Sequence, residues 1–193
     1  MRQASTASFA LATLLAVLLV LPASAQGPWQ GWKGPWADGI FGFRFGMDRA
    51  ACREVASRSD LTARTARPGT LRYEGRLGGA PASLVLEFAG EPRRPGRESL
   101  HRILVTWDGI SGGGSRAVKL FDRLEEGLRL RYGPPRLVRD ASVSDISNGY
   151  GEAVRLHEGP ECQARLILRS PGAGSLRLQL ILISPQLHPD FPR

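Results

Sequence analysis

Several short runs of this chain carry an apolar residue at every second position: Leu84, Leu86 and Phe88 in one, and Leu176, Leu178, Leu180 and Leu182 in another. A period of two turns one side of an extended backbone toward an apolar interior and the other toward solvent, so these runs predict half-buried strands. The segments between them hold turn residues. Gly78-Gly79-Ala80-Pro81 separates Leu71–Leu77 from Ser83–Phe88, and a proline-and-arginine loop, Gly90–Arg97, leads into Leu100–Trp107. Connections this short join antiparallel neighbours, whereas parallel strands need a crossover of a dozen residues or more.

Ala117, Leu120, Phe121, Leu124, Leu128 and Tyr132 instead recur at the 3.6-residue period of a helix. Ser115 is the expected cap, Glu125 and Arg129 stand in the favourable i,i+4 order, and Gly133 with Pro134-Pro135 ends the helix. An earlier helix is expected from the cap Asp48 to Ser59, with Ala51, Cys52, Val55 and Ala56 on one side. Before it, Phe41, Phe43 and Phe45 alternate in a way that predicts a strand. The second half gives strands at Ala153–Leu156, Cys162–Leu168 and Leu176–Ile183, with a turn at His157–Pro160 and a loop at Ser170–Gly174. Arg76-Leu77-Gly78-Gly79-Ala80-Pro81 echoes Arg155-Leu156-His157-Glu158-Gly159-Pro160, although the alternation slips by one residue after the turn.

These patterns predict an α+β fold: a duplicated helix-plus-three-strand unit forming one mainly antiparallel sheet with two helices on one face. The pseudo-repeats, 40–109 and 115–186, would make a single domain of residues 40–186, followed by a tail of residues 187–193. This helix-then-meander layout resembles that of small bacterial envelope proteins of the outer-membrane assembly lipoprotein or β-lactamase-inhibitor type, a resemblance that carries no function with it.

The first 25 residues read differently. Arg2 supplies a positive start, Phe9–Leu21 is an apolar run, and Pro22 precedes Ala23-Ser24-Ala25. These are the parts of a signal peptide, with cleavage expected after Ala25 and a periplasmic or secreted location for the rest. The run is 13 residues long, where a membrane-spanning helix needs about 20. Residues 26–39 are a leader rich in Gly, Pro and Trp, without strand or helix period.

The chain holds 26 Lys and Arg against 18 Asp and Glu, a net charge of +8. Acidic partners follow from that balance: an anionic component of the cell envelope, or a partner protein. Nucleic acid is not expected, because no dense basic run or reading module exists. The closest run is Arg93-Arg94-Pro95-Gly96-Arg97, flanked by Glu91 and Glu98, and its three arginines are candidate contacts. Trp29, Trp32 and Trp36 are further candidates, since tryptophans can stack on sugars or dock a partner, or fold back over the sheet. In an oxidising compartment the two cysteines, Cys52 and Cys162, are expected to form a disulfide; closing a loop that long contributes up to ~4–5 kcal/mol.

Catalytic signals are sparse. Gly109-Ile110-Ser111-Gly112-Gly113 matches G-x-S-x-G between a strand and a helix, where a nucleophile elbow belongs. Asp140, Asp145, His157 and His188 follow in the order of α/β-hydrolases. A small serine hydrolase using Ser111 is therefore the alternative reading, opposed by the late helix start and the hairpin pattern. Backbone N–H groups of the same loop, with Arg116 at the helix start, could cradle a phosphate. No two histidines stand at metal-ligand spacing, and no metal or cofactor is expected. The leading expectation is an exported, non-enzymatic binding protein.

Overall fold

The computed structural model describes residues 40–91, 94–110, 114–172 and 175–188. Its elements in chain order are α1 Arg49–Ser57, β1 Leu61–Arg64, β2 Thr70–Leu77, β3 Ala80–Glu91, β4 Arg94–Asp108, α2 Gly114–Tyr132, β5 Leu137–Arg139, α3 Val143–Ser147, β6 Glu152–Glu158, β7 Gln163–Arg169 and β8 Arg177–Ile183. The fold is α+β. All eight strands join one sheet in the order β1-β2-β3-β4-β8-β7-β6-β5, and every neighbouring pair is antiparallel. Two four-stranded meanders thus meet at β4 and β8, each preceded by a helix. Six of these strands match ones expected from the sequence; the two additions, β1 and β5, are the short edge strands. No helix among the described residues is long and apolar enough to cross a membrane.

The register explains the core. Leu84 pairs with Val105, Val105 with Leu180, and Leu180 with Leu166, and all four are fully buried. The next row, Leu86–Ile103–Leu182–Ala164, is equally dry. Antiparallel partners share a face, so leucine alternation in separate strands becomes continuous apolar rows across the sheet. Each such leucine contributes roughly 1.5–3 kcal/mol by leaving water. At one end of β4, Trp107 is fully buried and donates its indole N–H to the Leu77 carbonyl at 2.9 Å. Helix α1 touches β1 and β4, while α2 touches β6, β7 and β8.

Local chemistry sets the helix ends. The Asp48 carboxylate accepts from the Ala51 N–H at 2.8 Å, and α2 stops where Gly133 takes φ +81°, a conformation that side-chain-bearing residues avoid. Three sequence expectations change here. Residues 40–45 are a tight turn instead of a strand. Ile40 and Phe43 exchange N–H···O bonds of 2.9 and 3.0 Å, with Phe41 and Gly42 at φ +54° and +85°. Gly90–Arg97 is mostly a continuation of β3 and β4. The ladder passes from Gly90–Glu98 directly to Glu91–Arg94, so Pro95, Gly96 and Arg97 form a bulge that accommodates a proline. His157, expected in a turn, lies inside β6 and is fully buried. The β6–β7 connection runs from Glu158 to Gln163, longer than the two-residue Gly78-Gly79 turn of the first half, and this difference is the slip seen in the sequence.

Candidate anion-binding cleft

Gly78 and Gly79 take φ +61° and +83°, the positive values that a two-residue hairpin between twisted strands requires. Glycine permits the turn, and the turn lies close to α2: a Cβ on Gly78 would stand 3.6 Å from Leu120 Cδ1. Arg76, just before the turn, donates to the Gly79 carbonyl at 2.7 Å. On the facing flank of α2, Arg116, Lys119 and Arg123 follow at i, i+3 and i+7, which places them on one side of the helix along about 10 Å of its axis.

Between turn and helix is a cleft of about 420 Å³, within the size range of small-molecule sites. Its lining combines the four cations Arg76, Arg116, Lys119 and Arg123 with an apolar floor that includes Ile110, Leu120 and Pro81. Among the described residues no carboxylate lines it. Some arginines elsewhere meet acids: Arg49 with Glu98 at 2.7 Å, Arg64 with Glu74 at 2.8 Å, and Arg155 with both Glu125 and Asp140 at 2.7 Å. In the cleft, Arg76 and Arg123 donate to the backbone carbonyls of Gly79 and Lys119. A concavity with one sign of charge focuses the field and concentrates counter-ions. The adjacent N-terminus of α2 adds to the same positive potential.

The residues singled out from the sequence are distributed differently. Arg116, read as part of an anion cradle, lines the cleft. Ser111, Trp29, Trp32, Trp36 and Arg93 lie outside the described residues, and Arg94 is described only as the first residue of β4. Arg97 borders a separate depression that it shares with Asp48, Arg49 and Glu98, so its surroundings are mixed in sign. Arg76, Lys119 and Arg123 were missed. The i, i+3, i+7 spacing on α2 was visible in the sequence, but its juxtaposition with the glycine turn exists only after folding.

The disulfide is corrected. Cys52 and Cys162 are both free and buried. They belong to different halves: Cys52 of α1 acts on the hydroxyl of Tyr73 in β2, whereas Cys162, just before β7, engages Tyr132 and the Ile183 backbone. Three strands, β3, β4 and β8, separate β2 from β7. Burial, helped by the charge of Asp48, pushes the Cys52 thiol up to about 12. Burial likewise pushes Cys162 up to about 11, against hydrogen bonds that lower it. Both are protonated at neutral pH, and a thiol is a poor nucleophile and metal ligand.

The acids and bases downstream of Ser111 have structural partners. Asp140 pairs with Arg155, Asp145 accepts from Ser142 at 2.6 Å within the cap of α3, and His157 is fully buried with Nδ1 3.1 Å from the Gly133 carbonyl. The strand preceding Ser111, β4, is antiparallel to both neighbours, unlike the parallel strand of a nucleophile elbow. Among the described residues no three His, Cys, Asp or Glu side chains gather as a metal site would require. Comparison of the chain with known protein families, with curated proteins and with solved structures finds no match in any of the three.

Proposed function

We propose that the protein is exported and acts outside the cytoplasm as a non-enzymatic binding protein whose ligand is an anionic component of the cell envelope. The observation that carries this reading is the cleft lined by the four cations Arg76, Arg116, Lys119 and Arg123, with no carboxylate among its described lining residues. Cations gathered along one cleft favour an anion there, and the described lining residues are cations, glycines and apolar side chains suited to holding one. Export rests on the signal-like Arg2, Phe9–Leu21 and Ala23-Ser24-Ala25.

The scaffold is read as a duplication of helix plus four strands, with both helices on one face. In its support, helix and meander recur in the same order, with α3 inserted in the second copy. One cross-strand row also runs from Tyr73, beside Cys52 of α1, through Leu84, Val105, Leu180 and Leu166 to Arg155, which pairs with Glu125 of α2.

Co-sedimentation of residues 26–193 with phosphatidylglycerol-containing vesicles tests the binding. Binding is expected that weakens as salt rises from about 50 to about 300 mM and falls at least tenfold in Lys119→Glu/Arg123→Glu. Equal binding to neutral phosphatidylcholine vesicles, or an unaffected double variant, would overturn the reading. Indifference to anionic vesicles alongside capture of an acidic polypeptide through the same cations would replace the envelope component by a protein partner.

A further inference from the structure

The cleft between the Gly78-Gly79 turn and α2 is longer than a single anion needs. Arg116, Lys119 and Arg123 lie along two turns of the helix, about 10 Å of its axis, and Arg76 stands on the opposite wall. Its volume of about 420 Å³ is that of a small-molecule site. Two of the four charged heads are tethered to the backbone: Arg76 to the Gly79 carbonyl at 2.7 Å and Arg123, through Nε, to the Lys119 carbonyl at 3.2 Å. One such bond leaves most of a guanidinium's N–H donors for a ligand, yet a tethered head does not swing along the cleft to meet the others at one point. The charge is therefore spread along a line. The lining is also amphipathic, since Ile110, Leu120 and Pro81 lie among the cations. Asp108, which shares a neighbouring depression with Pro81, is already paired with Arg177.

We infer that the cleft takes the head of a lipid carrying two phosphate groups on one short polar backbone, with one phosphate toward Arg116 and the other toward Arg123. This rests on the anion-binding reading of the cleft and narrows it to a ligand class. A lipid with one phosphodiester brings a single negative charge to a site of four cations. A second phosphate on the same molecule compensates the far end of the row, and it binds intramolecularly, so affinity rises through effective concentration. Phosphate suits these residues. An arginine fork meets its oxygens in pairs, and the Lys119 ammonium between the two arginines is a point charge open to either group. A phosphate also offers oxygens to α2 and to Arg76 across the cleft at once, which a carboxylate does less well. The N-terminus of α2 adds positive potential at the Arg116 end. Among sources of two phosphates, the apolar floor favours a lipid over a free sugar bisphosphate, because it covers the carbon skeleton from which acyl chains leave.

The test compares binding of residues 26–193 to vesicles of cardiolipin, with two phosphates per molecule, and of phosphatidylglycerol, with one, at equal phosphate content and constant ionic strength. Cardiolipin vesicles are expected to bind about tenfold more tightly. That ratio should fall toward one in Arg116→Gln and in Arg123→Gln. It should persist in Arg129→Gln, which removes the same charge from an exposed position of α2 outside the cleft. Circular dichroism of the variants should stay that of the parent. Equal affinity for the two vesicles would overturn the inference and leave the anion-binding reading standing, whereas absence of binding to both would overturn that reading and the inference with it. A ratio unchanged in both cleft variants would also overturn the inference. A hexose 1,6-bisphosphate, added at the phosphate concentration of the lipid, is expected to leave the protein on cardiolipin vesicles. Complete displacement would overturn the lipid as the ligand and assign the cleft to a free bisphosphate.

Discussion

Single residues settle some local questions that no pattern could announce. A Cβ on Gly75 would stand 2.1 Å from the Asp60 carbonyl oxygen, because the chain entering β1 passes directly over β2 there. The obstacle is backbone and cannot swing aside, so Gly75→Ala should destabilise by about 1–3 kcal/mol, read as a lower urea midpoint with unchanged slope. His157 offers a second test. Burial, the largest influence, depresses its pKa below the usual 6.5, against the hydrogen bond to the Gly133 carbonyl. The unfolded chain therefore takes up this proton more readily than the folded one. Stability from this site is complete above about pH 6.5 and is lost as pH falls toward the folded value. Glu158, held below its ordinary 4.5 by Arg136, acts in the same direction only at lower pH. Urea midpoints measured between pH 7.5 and 5 should thus decline in the parent chain and stay flatter in His157→Gln. A histidine in the sequence HEGP resembles a turn residue; only the pairing of His157 with Ala164 makes it an interior one.

At the scale of elements, patterns that report their own environment were read correctly. The stripe on α2 and the leucine alternation of β3 and β8 each declare a buried face, and Asp48 and Gly133 end their helices by local chemistry. Elements defined by a neighbour were lost. Strand β5 has three exposed residues, Leu137–Arg139, and exists because β6 offers an unpaired edge; β1 borrows β2 in the same way. The alternation of Phe41, Phe43 and Phe45 misled because Phe41 and Gly42 reverse the chain. For α2 the expectation is direct. Gly133→Ala, at φ +81°, should cost about 1 kcal/mol, whereas the same change at Gly172, which has no positive φ and open space beside it, should be neutral. Thermal unfolding of the two variants checks both. The cleft lay at the limit of legibility. Arg116 was visible at a helix start, while the approach of Arg76 depends on a glycine turn meeting a helix 40 residues later.

For the whole molecule, two buried free thiols far apart in the sheet order mean that oxidation state is not part of the fold. Melting temperature should be the same with and without reductant, and both thiols should react only after denaturation; a drop of several degrees on reduction would restore the disulfide. Compartment reasoning failed here because it counts cysteines without their positions, and position comes from how α1 and β7 are placed by the sheet. The positive charge is likewise organised at this scale. Several arginines outside the cleft pair with acids on neighbouring strands, as Arg64 with Glu74, Arg102 with Glu87, Arg139 with Glu152 and Arg177 with Asp108, so net charge alone could not have located the cleft.

The seam between β4 and β8 has a kinetic consequence. Its pairs join residues some 70 to 80 positions apart, as Asp108–Arg177 and Arg102–Ile183, whereas each meander closes through near neighbours in the chain. Loops that long are entropically slow to close, so the two meanders should gain structure first and zip together last. Substitution at the seam, such as Leu180→Ala, should therefore accelerate unfolding more than it retards refolding. The middle of this sheet, its driest part, would be the last to form.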